Sequence, residues 1–206
     1  DSVLDDDGVV SLVVPDKRYC FDHYRPITNL AQIIDGHVRK STRHTPGTVA
    51  EYCLNVVSRA DCLAWNAAAD GPLKLMHTLD DAKKYMQIAL AGDEYLDVHA
   101  WCFVPHSFRL LIHDLHALGL IPFREVEFCP GEGFEFFITL GRNAKGLETP
   151  RQAMLETIKA ELAAGVAVSD PAANAVATPV AVRARMHAVN LARRAKRALL
   201  RRFARR

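Results

Sequence analysis

Apolar and polar positions alternate along the chain with several distinct periods. Val9-Val10-Ser11-Leu12-Val13-Val14 is an almost unbroken apolar run, bounded by Asp5-Asp6-Asp7-Gly8 and by Pro15. β-Branched residues and Leu over six positions predict a strand covered on both faces, of the kind found in the middle of a parallel α/β sheet. The period then becomes helical. Leu30-Ala31-Gln32-Ile33-Ile34-Asp35 predicts a helix capped by Thr28 or Asn29. Thr45-Pro46 starts a second helix, running to about Arg59, with Pro at its first position. Thr78-x-x-Asp81 is a capping box opening a third, to about Ala91, stopped by Gly92.

Val98 to Val104 alternates and predicts a short strand. Ser107 opens an amphipathic helix in which Phe108, Leu111, Ile112, Leu115 and Leu118 share a face, closed by Gly119. A hairpin follows: Val126 and Phe128 inward, Glu125 and Glu127 outward, a turn at Pro130-Gly131-Glu132-Gly133, and a return through Phe134, Phe136, Ile138 and Leu140. Thr149-Pro150-Arg151-Gln152 starts a helix that extends to about Ala164. Trp65, Trp101 and the phenylalanines of 123–137 read as core. The helices between residues 27 and 92 are too many for one crossover and read as an insertion at the sheet edge.

Composition adds three constraints. The apolar fraction of 50% is enough for a sizeable core, and no apolar run approaches the ~20 residues of a membrane span. Five cysteines without a CxxC pair argue against a disulfide framework and for a reducing, cytoplasmic compartment. The net charge of +2 hides a segregation: residues 171–206 carry ten Lys or Arg and no acid, leaving the preceding residues at −8. Residues 165–181 read as a linker, and the basic helix from Val182 as a tail. That tail suits an anionic membrane surface, less well nucleic acid, and equally a solvated end or a helix docked on the acidic body.

The polar run after the first strand, Asp16-Lys17-Arg18-Tyr19-Cys20-Phe21-Asp22-His23-Tyr24-Arg25, lies where open α/β sheets bind ligands, beyond a strand's carboxyl end. Its setting resembles one family. Val3-Leu4-Asp5-Asp6-Asp7-Gly8 and the strand resemble the turn and fifth strand of class I S-adenosylmethionine-dependent methyltransferases, with acids where that family has Pro-Gly. Asp97-Val98-His99 through Pro105-His106-Ser107-Phe108-Arg109, ending in Leu118-Gly119-Leu120, resembles the later stretch that leads through a Ser to a helix with a Leu-Gly turn. The Glu-flanked hairpin is similar to the antiparallel sixth and seventh strands. The run from Pro15 to Pro26 resembles bacterial methyltransferases of cell-surface polysaccharide clusters.

The resemblance covers residues 1–141 and implies the C-terminal half of a Rossmann-like domain, with a helical insertion at about 27–92. An accessory helix (142–170) and the linker and tail (171–206) follow. The family's glycine-rich cofactor loop and the acid ending its second strand do not occur, and the chain begins at Asp1. The expectation is therefore a fragment that lacks the half binding S-adenosylmethionine, has no cofactor-binding residues of its own, and is inactive alone. Its partners would be that missing half and a small-molecule or glycan acceptor. A non-enzymatic adaptor held at the inner membrane face by the basic tail is the competing expectation.

For methyl transfer the resemblance implies a base. His23, with Asp22 beside it to orient the imidazole or to act itself, is the expected catalytic residue. A structural Asp22–Arg25 ion pair, with His23 capping the next helix, is the alternative. Lys17, Arg18 and Arg25 are expected to bind an anionic acceptor, or else to pair with Asp16 and Asp22. His99 is expected to face the acceptor pocket. His106, His113 and His116 lack the spacing of a tight metal signature, and no metal site is expected.

Overall fold

The computed structural model describes residues 4–92, 94–131 and 133–164. The chain divides between Ser169 and Asp170, and everything described lies before that division. Val3 of the expected turn, Glu132 of the hairpin, and the linker and basic tail with every reading made of them fall outside the described residues. No helix among the described residues is long and apolar enough to cross a membrane.

Among the described residues the architecture is mixed α/β, with two small antiparallel sheets and five α-helices. The elements are β1 (Val9–Pro15), α1 (Leu30–Val38), α2 (Pro46–Asn55), β2 (Val57–Arg59), β3 (Leu73–Leu75), α3 (Leu79–Ala91), α4 (Pro105–Ala117), β4 (Arg124–Cys129), β5 (Glu135–Gly141) and α5 (Arg151–Ala164). Three strands form one sheet in the order β1-β5-β4, and β2 pairs with β3 in the other. The return strand of the hairpin thus lies between β1 and β4.

β1 differs from its expected character. It runs antiparallel to β5, with Val9 opposite Gly141 and Pro15 opposite Glu135, and it forms one edge of the sheet. Its exposure alternates: Val9, Ser11 and Val13 are exposed while Val14 is buried. The reason is one-sided cover. α4 packs Leu111 and Leu115 against Val14 and Phe136, with Leu30, Ile33 and Ile34 of α1 beside them. Nothing among the described residues covers the opposite face of β1, so the unbroken apolar run behaves as an amphipathic strand. The central strand β5 buries Phe136, Ile138 and Leu140 as the hairpin pattern predicts. In β4 the register shifts between Glu125 and Glu127, a bulge that turns Val126 outward to 52% exposure. Gly131 holds the turn at φ 75°, and a Cβ there would collide with the Glu135 carbonyl.

The helix starts follow local chemistry. Asn29 caps α1 in a box with Gln32, Thr45 caps α2, and Thr78 and Asp81 form the box that opens α3. α4 begins two residues before Ser107, with Pro105 at its first turn; the Ser107 hydroxyl accepts from the Val104 amide and donates to the Val104 carbonyl. α2 stops at Asn55 rather than near Arg59, because Val57–Arg59 is taken up by pairing with Leu73–Leu75. α5 docks on α4 through Met154 and Ile158, which pack on Val104 and Leu110.

Phe136 is wholly buried at the centre of this packing. Phe136→Ala is expected to cost about 3–5 kcal/mol in urea unfolding. Val13→Ala, on the open face of the same sheet, is expected to stay within about 0.5 kcal/mol.

Candidate functional site

The carboxyl end of β1 meets the segment that precedes α4. Asp16 bridges Phe103 in parallel, and the Lys17 amide donates to the Phe103 carbonyl at 2.9 Å. A short 3-10 turn, Lys17–Tyr19, follows, capped by Asp16, whose carboxylate accepts from the Arg18 amide. Backbone bonds then stitch the loop to the β2 region: Phe21 N to Leu63 O, Val57 N to Phe21 O, and Trp65 N to Tyr19 O. Residues 16–25 are therefore a fixed platform and not a loose loop.

At its centre lies a buried chain of charges. Asp22 is 2% exposed. Its Oδ1 accepts from Arg25 Nη1 at 2.9 Å, and its Oδ2 lies 2.7 Å from His99 Nδ1. Arg25, also buried, donates Nε and Nη2 to the Glu51 carboxylate of α2 at 3.0 and 2.8 Å, and Nη1 to the His99 carbonyl at 2.8 Å. The Tyr52 ring lies beneath the guanidinium. Burial alone would lower the Arg25 pKa, but the hydrogen bonds from Glu51 and Asp22 outweigh it and raise it above the ordinary arginine value. The cation is permanent, and it pairs with the Asp22 carboxylate in a dry setting.

The contact with the Asp22 carboxylate fixes the His99 tautomer. Nδ1 carries the proton and donates to the carboxylate, which leaves the lone pair on Nε2. The ring is packed against Phe21 at 4.6 Å between centroids, yet it is 44% exposed. Nε2 has no hydrogen-bond partner among the described residues. A cleft of about 240 Å³ is lined by Tyr52, Cys53, His77, Tyr85, Asp97 and Val98 among others; His99 itself is not in its lining. A buried carboxylate that orients a half-exposed imidazole is the arrangement of a general base.

Several expected roles change. Asp22 does not orient His23. The two side chains leave the 21–24 turn in different directions, and His23 Nδ1 donates to the Arg18 carbonyl at 2.7 Å, its ring beside Tyr24 and Trp65. Burial, aided by Lys17 and Arg59, holds the His23 pKa below its ordinary value, the bond to Arg18 only partly opposing it. Nor are Lys17, Arg18 and Arg25 free to bind an anion. Lys17 is buried with Nζ 2.6 Å from the His23 carbonyl, and desolvation lowers its pKa. Arg18 closes a fork on Asp16 at 2.9 and 2.5 Å. Arg18 and Arg25 form the alternative pairs with Asp16 and Asp22, both buried, whereas Lys17 meets a backbone carbonyl and no acid.

The remaining histidines disperse: His106 bonds Glu161 of α5 at 2.6 Å, His113 lies by Asp114, and His116 accepts from Arg124. Cys20 and Cys102 are buried, and desolvation pushes the Cys20 thiol up to about 12 and the Cys102 thiol higher, so neither is a nucleophile. Two participants escaped the sequence reading. Glu51 is the only charged residue of α2, where only Val49 and Cys53 are buried, and with its side chain 31% exposed the sequence carried no signal of its partner. Trp101, read as core, is 44% exposed.

Two outcomes are expected. Arg25→Met leaves Asp22 buried without compensation and should cost about 3–5 kcal/mol in denaturant unfolding. His23 gives a pH signature whose sign follows from its depressed pKa. Above its ordinary value of 6.5 the folded and unfolded chains are both neutral at this residue. As the pH falls through that value the unfolded chain takes up a proton first, so stability declines. Melting temperatures from about pH 7.5 to about 5.5 should fall less in His23→Gln than in the parent chain.

No family model, curated protein or solved structure matches this chain.

Proposed function

We propose that this chain is the acceptor-handling part of an S-adenosylmethionine-dependent methyltransferase, with His99 as the base and Asp22 as the residue that positions it. The observation that carries the base assignment is the 2.7 Å contact between buried Asp22 and His99 Nδ1, backed by Arg25 and Glu51. In this reading an acceptor hydroxyl approaches Nε2 and the imidazole takes its proton as the oxygen becomes a nucleophile. Asp22 then stabilises the imidazolium without itself being protonated, because Arg25 holds its other oxygen. The polar run, the segment leading to α4 and the hairpin support methyl transfer as the reaction, since it is there that the resemblance lies. The order β1-β5-β4, with the hairpin attached to the fifth-strand candidate through its return strand, is in keeping with it.

The segment that follows β1 does not fit the cofactor. From Val9 to Asp35 there is no glycine to let a phosphate or sulfonium ligand approach the backbone. The turn after β1 already bonds its own amides, Lys17 N to Phe103 O and Arg18 N to Asp16 Oδ1. Cofactor binding accordingly belongs to other residues of the protein, and the described part contributes acceptor binding and proton removal.

Titration calorimetry on the 206-residue chain is expected to show no micromolar binding of S-adenosylmethionine; such binding would place a cofactor site inside this sequence and remove the division of labour. In the longer protein carrying a cofactor-binding half, His99→Gln should lower turnover by about 10²-fold or more with little change in KM. His23→Gln should leave turnover within a few-fold. The reverse ranking would return the base to His23.

A further inference from the structure

Tyr95 to Trp101 carries more chemistry than a linker needs. Tyr95, Asp97, His99 and Trp101 are exposed, whereas Leu96, Val98 and Ala100 between them are half-buried. Leu96 and Val98 pack on the cluster formed by α2 and α3. The segment forms no strand: Asp97 and Val98 line the Tyr52 cleft, and His99 lines neither that cleft nor the one at Trp101.

Trp101 also helps form a second cleft, of about 410 Å³, separate from the one at Tyr52. One edge of its indole rests against α1 at Gly36, where an added Cβ would lie 3.6 Å from the ring. The remaining walls include Gln32, Asp35 and Arg39 of α1, Arg43, and Tyr95. Arg39 leans on Asp35 at 3.4 Å, and both are exposed. Arg43 is held in place through Nη1 on the Gly92 carbonyl. An open aromatic platform ringed by an amide, a carboxylate and two guanidiniums is poorly suited to a lipid or an apolar peptide. It matches a pyranose, whose C–H face lies on an indole while its hydroxyls meet planar polar groups. With two guanidiniums against one carboxylate, the cleft favours a ring that bears an acid.

We infer that the Trp101 cleft binds an acidic sugar unit of an oligosaccharide acceptor. This deepens the proposed function and rests on the chain handling a methyl acceptor. Trp101 would hold the ring, with Arg39 and Arg43 meeting its acid.

The probe is tetragalacturonate, with cellotetraose as its neutral counterpart. Of the two tryptophans only Trp101 is open to solvent, Trp65 being buried, so acrylamide quenching of the parent chain reports on this cleft. Tetragalacturonate should protect the fluorescence at millimolar concentration or below, about tenfold better than cellotetraose. Arg43→Ala should remove that preference, and in calorimetry Trp101→Ala should abolish binding. Because quenching is read on the unaltered chain, a misfolded variant does not decide the outcome. No protection by tetragalacturonate overturns the inference, as does equal protection by cellotetraose. His99→Gln should bind the tetramer as tightly as the parent. The two readings therefore fail separately: loss of sugar binding leaves His99 as a base for another acceptor, and full turnover by His99→Gln removes the base while sugar binding persists.

Discussion

Much of this structure depends on the neutralisation of one buried carboxylate. Asp22 sits at 2% exposure, where an isolated charge would cost several kcal/mol. Arg25 makes it tolerable, and Glu51 in turn balances Arg25. The three groups come from a turn and a helix, and the fourth, His99, from a segment 77 residues away from Asp22. Holding them in register fixes α2, the 16–25 platform and the segment before α4 relative to one another; of the strand expected at 98–104 only the Phe103 bridge to Asp16 forms. The same contacts that orient the His99 imidazole also join the three segments, so stability and the proposed proton transfer cannot be varied independently at Asp22.

What could be read in the sequence was local. The caps at Asn29, Thr45 and Thr78–Asp81 mark α1, α2 and α3, because a cap involves only residues three positions apart. The hairpin and the buried face of β5 likewise follow from alternation and a glycine turn. β2 and β3 were not legible: three residues each, Val57-Ser58-Arg59 and Leu73-Lys74-Leu75, are too short to show a period. The two-sided burial expected of β1 failed for a different reason, since an apolar run states what a strand tolerates and not what lies against it.

The candidate site was legible by residue type and in part by pairing: the Asp22–Arg25 pair was one of two alternatives and forms, while the Asp22–His99 pair was not foreseen. Asp22 and His99 were both expected to matter, yet adjacency in sequence favoured an Asp22–His23 pair that the turn geometry does not make. Polar side chains crowded at a strand's end are as easily employed in bonding each other or the backbone as in meeting a ligand, and Lys17, Arg18 and Arg25 all went that way. Exposure separates the two fates: Arg25 and Lys17 are buried, while His99 and Trp101 remain open.

The outer edge of β1 carries a consequence for handling the protein. Val9 to Val14 is uncharged, rich in β-branched residues, and unpaired on one side among the described residues, with Val9 and Val13 half exposed on its open face. Natural edge strands are usually blunted by a lysine, an inward charge or a bulge. This one has only Pro15, at its last position. A six-residue stretch of that composition is a template for cross-β growth between molecules. Concentration, and not only temperature, will therefore govern how long a solution of this chain stays clear, and a single lysine at Ser11 is the substitution that physics recommends for prolonging it.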